Sequence, residues 1–421
     1  MSSIPFSALM SKTPTHPRRT ACRIDPYWGS LWRGGSSESW WSRADTARLI
    51  KAGAIRSIPY ELKVRPSDAW RRIESSRTHE RAMRMVAAVQ QWRTMTTEQL
   101  EAFTDVPGVD VTATQPWLST LWAADLVDYA VAGQTLGKSW RTAPARLVRP
   151  TRPGAGTERF TDMLSWAEWV SVTGGYGMEQ NRQFDRHNIL STEFGLRVAE
   201  FCDVATVLGE QLCTFELLTG TPVAGKGAAD VCIVRPDGLR IAVEMTASIP
   251  GQSVERKVDR WCEMLSRTPV QDSGLVVLFV NAPHQDASQA AVTYSLDVVK
   301  KAISGSVRRH PGTASSPTAE RIGVVSWQAL FPSAGQVSSD FPTLPVTRPT
   351  GRGYLMGGDD LHLWERADLL DPGTLPLAPN AARDAIVDNA RVLRGTPFFL
   401  RGDGGPDLTA LAVRNAGITV A

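Results

Sequence analysis

Residues 225–248 read GKGAADVCIVRPDGLRIAVEMTAS. Two β-rich runs flank Pro236-Asp237-Gly238, and Asp-Gly between such runs is a strong hairpin signal. With those three residues as the loop, positions whose numbers sum to 474 face each other, which sets Asp230 opposite Glu244. A two-residue turn would move Asp230 off this register. Opposed residues on one face have Cβ atoms roughly 4.5–5.5 Å apart, where like charges destabilise the pair. Something positive should therefore sit between the carboxylates, and a hard divalent cation such as Mg²⁺ or Mn²⁺ suits their oxygens. Val231, Ile233, Ile241 and Val243 make one face apolar, while Cys232, Val234 and Ala242 do the same for the other. Such a strand pair is covered on both sides, which encloses its acids. The competing reading leaves Asp230 and Glu244 as solvated strand ends.

Around the hairpin, periodicity predicts strands at 212–217, 274–280 and 321–326 and helices at 160–172, 191–202, 255–266 and 298–307. The expected fold class is α+β multidomain, with a mixed-sheet α/β domain over 157–332. A loose stretch at 335–353 then leads to a C-terminal segment, 354–421, of no readable role. The 149–156 stretch, RPTRPGAG, reads as a Pro/Gly/Arg linker.

Asp230, a hairpin and then Glu244-Met245-Thr246 resemble the D…(D/E)-x-K signature of the PD-(D/E)xK nuclease superfamily. The resemblance implies a divalent metal held by Asp230 and Glu244, with Glu193 or Glu200 from the preceding helix as a further ligand. Such an ion polarises the phosphoryl oxygen and acidifies a bound water. The chain departs from the signature at Thr246, where the superfamily keeps its lysine. Lys226, which shares the alternation parity of Asp230, or Lys257, on the following helix, could substitute. Equally, a site without its lysine could survive as a DNA-binding scaffold.

Upstream, 79–93 (HERAMRMVAAVQQWR) is helical in period, with Met83, Val86, Ala87 and Gln90 on one face. Thr96 with Gln99 forms a capping-box pattern opening a second helix. A third helix is expected from Thr112 or Thr114 to Ala124, exposing Thr114, Gln115, Ser119 and Thr120 and burying Leu118, Leu121 and Trp122. Two short strands, 126–131 and 139–142, follow. That order is a winged helix-turn-helix over 79–148, whose third helix would enter the major groove while Lys138 and Arg141 touch phosphate. Winged helices also dock proteins, so a partner role stands beside DNA binding. Joined to the nuclease-like domain, the layout is similar to the replication-relaxation family of actinobacterial mobile elements. That similarity implies a DNA-binding protein of a plasmid or phage that cleaves or nicks DNA, or else a regulator or structural component using both modules as scaffolds.

Composition agrees with a nucleic-acid partner. Net charge is only +3, but residues 1–150 hold 21 Lys and Arg against 13 Asp and Glu, while the remainder holds 25 against 30. The basic half is the expected phosphate contact; its plain alternative is a solvated arginine-rich surface. Five scattered cysteines without a C-x-x-C pair indicate neither disulfides nor structural zinc. No apolar run has membrane-span or signal-peptide length, so a cytoplasmic protein is expected. Residues 1–20 read as a mobile arm. The Trp-rich 21–78 segment reads as a packed cluster or a protein-partner surface. His187 is an ordinary hydrogen-bonding residue or a phosphate contact, and GTPVAGKG at 220–227 lacks the order of a nucleotide-binding loop. Oligomeric state is not legible.

Overall fold

The computed structural model describes residues 2–29, 31, 39–132, 145–178, 185–220, 227–247, 252–350 and 363–402. They form two compact units. One is built from Arg197–Asp388 with the first residues through Lys12; the other is built from Thr13–Leu196 with those from Asn389. No helix of the described residues is long and apolar enough to cross a membrane. Both units mix helices with sheet.

Among the described residues, the first unit centres on a seven-stranded mixed sheet. Its order is Trp364–Asp368, Pro345–Pro349, Ile322–Ser326, Leu275–Asn281, Arg240–Thr246, Val231–Val234, Thr206–Gly209. The last three strands are antiparallel neighbours, whereas Leu275–Asn281 runs parallel to both Arg240–Thr246 and Ile322–Ser326. Parallel neighbours need long crossovers, and the helices Gln252–Arg267 and Gln289–Arg309 supply them. Every residue of Arg240–Thr246 and Leu275–Asn281 is buried, which is why LVVLFVN is a continuous apolar run rather than an alternating one.

The hairpin takes the three-residue loop. Val231 pairs with Val243, Ile233 with Ile241 and Val234 with Arg240, each pair lying on the expected register. Gly238 turns the chain at φ +81°, and a Cβ there would meet the Arg383 Cβ at 2.5 Å. Both conformation and space therefore require glycine. Arg235, fully buried in the loop, pairs with Asp237 at 2.6 Å and donates to the carbonyls of Leu369, Asp371 and Leu375. These bonds tie the segment after the last strand to the hairpin, so the unread C-terminal portion is partly sheet edge and partly loop packed on Arg235.

Several expectations are corrected here. The strand expected at 212–217 is the helix Phe215–Thr219, because Thr214 caps a helix by accepting from the Leu217 N–H; the strand lies earlier, at Thr206–Gly209. The loose stretch at 335–353 contains Pro345–Pro349, an inner member of the large sheet. The beginning of the N-terminal arm is pinned within the first unit: Ser3–Pro5 pairs with Gln336–Ser338, and Phe6 is buried against Phe201 and Phe331.

In the second unit the helices His79–Trp92 and Thr97–Thr104 match expectation, and the Thr96–Gln99 capping box is present, its two bonds at 2.9 and 3.1 Å. A four-stranded antiparallel sheet runs Ser39–Trp41, Val127–Ala132, Ala145–Pro150, Met95–Thr96. The returning strand is Ala145–Pro150, which absorbs the start of the expected linker, while the strand expected at 139–142 lies outside the described residues. The remainder of that linker leads into the helix Ala155–Asp162, where Thr157 caps Gly154. The third helix begins only at Trp117. Pro116 fills its N-cap, and a residue before proline is pushed out of the helical region, which keeps Gln115 in the turn.

Candidate active site at the central hairpin

Asp230 and Glu244 are both buried. Asp230 sits one residue before its strand; its N–H donates to the Val243 carbonyl, while its Oδ2 accepts from the Met245 N–H at 2.6 Å. Its carboxylate is thereby held against the strand that carries Glu244. Glu244, 1 % exposed, has a donor on each oxygen: Lys257 Nζ on Oε2 at 2.6 Å and the Trp261 indole N–H on Oε1 at 2.6 Å. Both donors come from the helix Gln252–Arg267 and stand four residues apart, hence on one face. The Trp261 ring is fixed edge-on against Phe215 at 4.6 Å.

The electrostatics follow from burial. Loss of solvent pushes the Glu244 carboxyl up, to about 7, and the charge of Asp230 pushes the same way, against the pull of Lys257. Burial works to lower the Lys257 ammonium, but the charges of Glu244, Asp230 and Glu210 outweigh it and hold it above its ordinary value. At Glu244 the cost of burial outweighs the pull of the single cation, so this carboxyl tends to hold its proton.

The structure thus brings together Asp230, Glu244 and one of the two candidate lysines, Lys257. Lys226 lies outside the described residues. Thr246 is buried two residues beyond Glu244, in register with Asn281 of the neighbouring parallel strand. Glu193 is taken up elsewhere: its carboxylate accepts from Arg23 at 2.9 Å and from Gln99 at 3.1 Å, all within the second unit. Glu200 is buried in the first unit, and its carbonyl accepts from the Lys12 N–H. Glu210 was missed in the sequence. The ladder between Thr206–Gly209 and the hairpin ends at Gly209–Val231, and Glu210 opens the helical turn that follows, close enough for its charge to act on Lys257; placing it required the strand at Thr206–Gly209. Trp261 was missed too, although its spacing from Lys257 was readable.

In kind, these carboxylate oxygens suit a hard divalent cation. Among the described residues, however, no three His, Cys, Asp or Glu side chains form a metal-binding group. The cation that compensates Glu244 in this arrangement is Lys257.

The candidate DNA-reading residues fare differently. Thr114 and Gln115 are exposed in the turn before the third helix. Ser119, expected to be exposed, is fully buried and donates to the Glu61 carbonyl at 2.6 Å; Thr120 is buried under Arg72. The reason is tertiary: the segments Tyr60–Leu62 and Pro66–Glu74 pack on this helix, with Arg72 stacked 3.7 Å over Trp117. Lys138 and Arg141 lie outside the described residues. Comparison with known protein families, with curated proteins and with solved structures finds no match to this chain.

Proposed function

We propose that the chain is a DNA-acting protein of a plasmid, phage or other mobile element, combining a winged helix-turn-helix with a PD-(D/E)xK-like domain that cleaves or nicks DNA. The observation that carries this reading is that Asp230 is bonded to the strand that carries Glu244 and that Lys257 of the following helix pairs with Glu244, an acid–acid–lysine set gathered at one hairpin. The order helix, three antiparallel strands, helix, parallel strand around it supports the same reading. In the second unit, the short strand between the first two helices and the returning pair after the third support the winged-helix assignment.

Asp230 and Glu244 are the residues that would hold Mg²⁺ or Mn²⁺, which when bound neutralises phosphate charge and acidifies water. Lys257 keeps a positive charge at the carboxylates, in place of the lysine that Thr246 cannot provide. Trp261 fixes the Glu244 carboxylate through a single directed N–H donor.

A second reading, a non-catalytic DNA-binding scaffold, is favoured by one observation: both Glu244 oxygens are already held by donors of the protein itself. The two readings separate in a plasmid assay with Mg²⁺ or Mn²⁺. The nuclease reading expects metal-dependent nicking that drops about 100-fold or more in Glu244→Ala, Asp230→Ala and Lys257→Ala, in line with loss of key electrostatic groups. Wild-type protein that leaves supercoiled and single-stranded DNA intact, or variants that nick as well as wild type, would retire it in favour of the scaffold.

A further inference from the structure

The helix that would read a DNA groove has no face left to do so, since every residue of Trp117–Ala123 is buried. The chain segment that contains the elements burying it is basic. Residues 43–84 hold eleven Lys and Arg against five Asp and Glu, and this segment includes both Tyr60–Leu62 and Pro66–Glu74. Lys63, Arg65, Arg77 and Arg81 are exposed and have no acidic partner among the described residues.

All four flank the elements Pro66–Glu74 and His79–Trp92: Lys63 and Arg65 precede the first, Arg77 lies between the two and Arg81 is in the first turn of the second. Arg72, which bridges to Thr120 and Trp117, has its pKa lowered by burial and then by the charge of Arg81. Lys63 and Arg65 lie between the Tyr60–Leu62 turn and the start of Pro66–Glu74, both packed on the same helix. Tyr60, 76 % exposed, stands beside them.

We propose that this face, Lys63, Arg65, Arg77 and Arg81 with Tyr60 at its edge, docks the phosphate backbone of duplex DNA in place of the buried third helix. The inference rests on the DNA-acting reading above and assigns its docking surface. Charge complementarity names the occupant. Protein surfaces normally intersperse both signs, whereas these four cations make no ion pair among the described residues, and neutralising phosphates releases counterions. Phosphate contacts position a protein without reading bases. Binding through this face is therefore independent of sequence and steep in salt.

The test is equilibrium binding of the full-length protein to two labelled duplexes of unrelated sequence, from about 50 to about 200 mM salt. Wild type should bind both duplexes equally. The variant Lys63→Ser/Arg65→Ser/Arg77→Ser/Arg81→Ser should bind at least about 10-fold more weakly at the lower salt. Its log–log salt slope should be shallower by about 3 to 4, which is about 0.9 for each phosphate no longer neutralised. Circular dichroism and the melting temperature check that the variant folds. Lys63→Arg/Arg65→Lys, which keeps the charge, should bind like wild type. If wild type binds but the Ser variant keeps its affinity and slope, this surface is wrong while the DNA-acting reading stands. Loss of binding in Thr114→Ala/Gln115→Ala alone would likewise overturn it and return the DNA interface to the turn before the third helix. If wild type binds neither duplex at any salt, the DNA-acting reading itself fails.

Discussion

Glu193 and Glu244 are buried to the same degree, each about 1 % exposed, and each is held by two side-chain donors. The difference lies in the cation. Arg23, beside Glu193, is itself buried, its side chain 1 % exposed, and it also bonds Thr20 and the Arg18 carbonyl. Lys257, beside Glu244, keeps 41 % of its side chain exposed. A guanidinium fixed by several acceptors is a structural clamp, whereas an ammonium on a flexible stem can exchange its partner for water or for another ion. Two acids that look alike in burial therefore differ in what they can do, and the one with the exchangeable cation is the candidate for chemistry.

The sharpest way to break this comparison is to remove each cation. Arg23→Ala leaves Glu193 buried and uncompensated, and should cost about 3–5 kcal/mol in chemical denaturation at neutral pH. A loss below about 1 kcal/mol would show that the clamp is not one. Lys257→Ala should cost less at acid and neutral pH, because Glu244 already tends to hold a proton.

The pH dependence sharpens the contrast. The Glu244 carboxyl, raised from its ordinary 4.5 to about 7, binds more protons in the folded state than in the unfolded one. Its contribution is complete below the ordinary carboxylate range and is lost as pH rises through about 7. Wild type should lose on the order of 2 kcal/mol between about pH 5 and 8 relative to Glu244→Gln. The loss should extend to higher pH in Lys257→Ala, where the opposing charge is gone. Parallel stability–pH curves for wild type and Glu244→Gln would sink the assignment.

A smaller effect tests the third helix. Ser119→Ala removes the bond to the Glu61 carbonyl and should cost about 1 kcal/mol without altering DNA affinity. Gln115→Ala should leave stability unchanged within about 0.5 kcal/mol. Weakened DNA binding in the Ser119 variant would show that the helix is uncovered in solution.

The hairpin, its three-residue loop and its register from Val231–Val243 to Val234–Arg240 were legible in 225–248, because strand alternation and turn chemistry are local. The helix His79–Trp92 and the capping box at Thr96 were legible for the same reason. The seams were not. Thr214 starts a helix within a run that looks strand-like, and Pro116 delays the third helix by several residues. The fate of Glu193 was illegible because its partner, Arg23, is 170 residues away in the chain.

By itself, then, the sequence determined the hairpin, its register and the helix that follows it, since these follow from patterns a few residues long. Only the tertiary structure decided that Lys257 reaches the Glu244 carboxylate, that the charge of Glu210 acts on that lysine, and that segment 60–74 buries the helix expected to read DNA. Each of those outcomes depends on which distant surface displaces water from a polar group or an apolar face, and pairing at that range has no signature in local spacing.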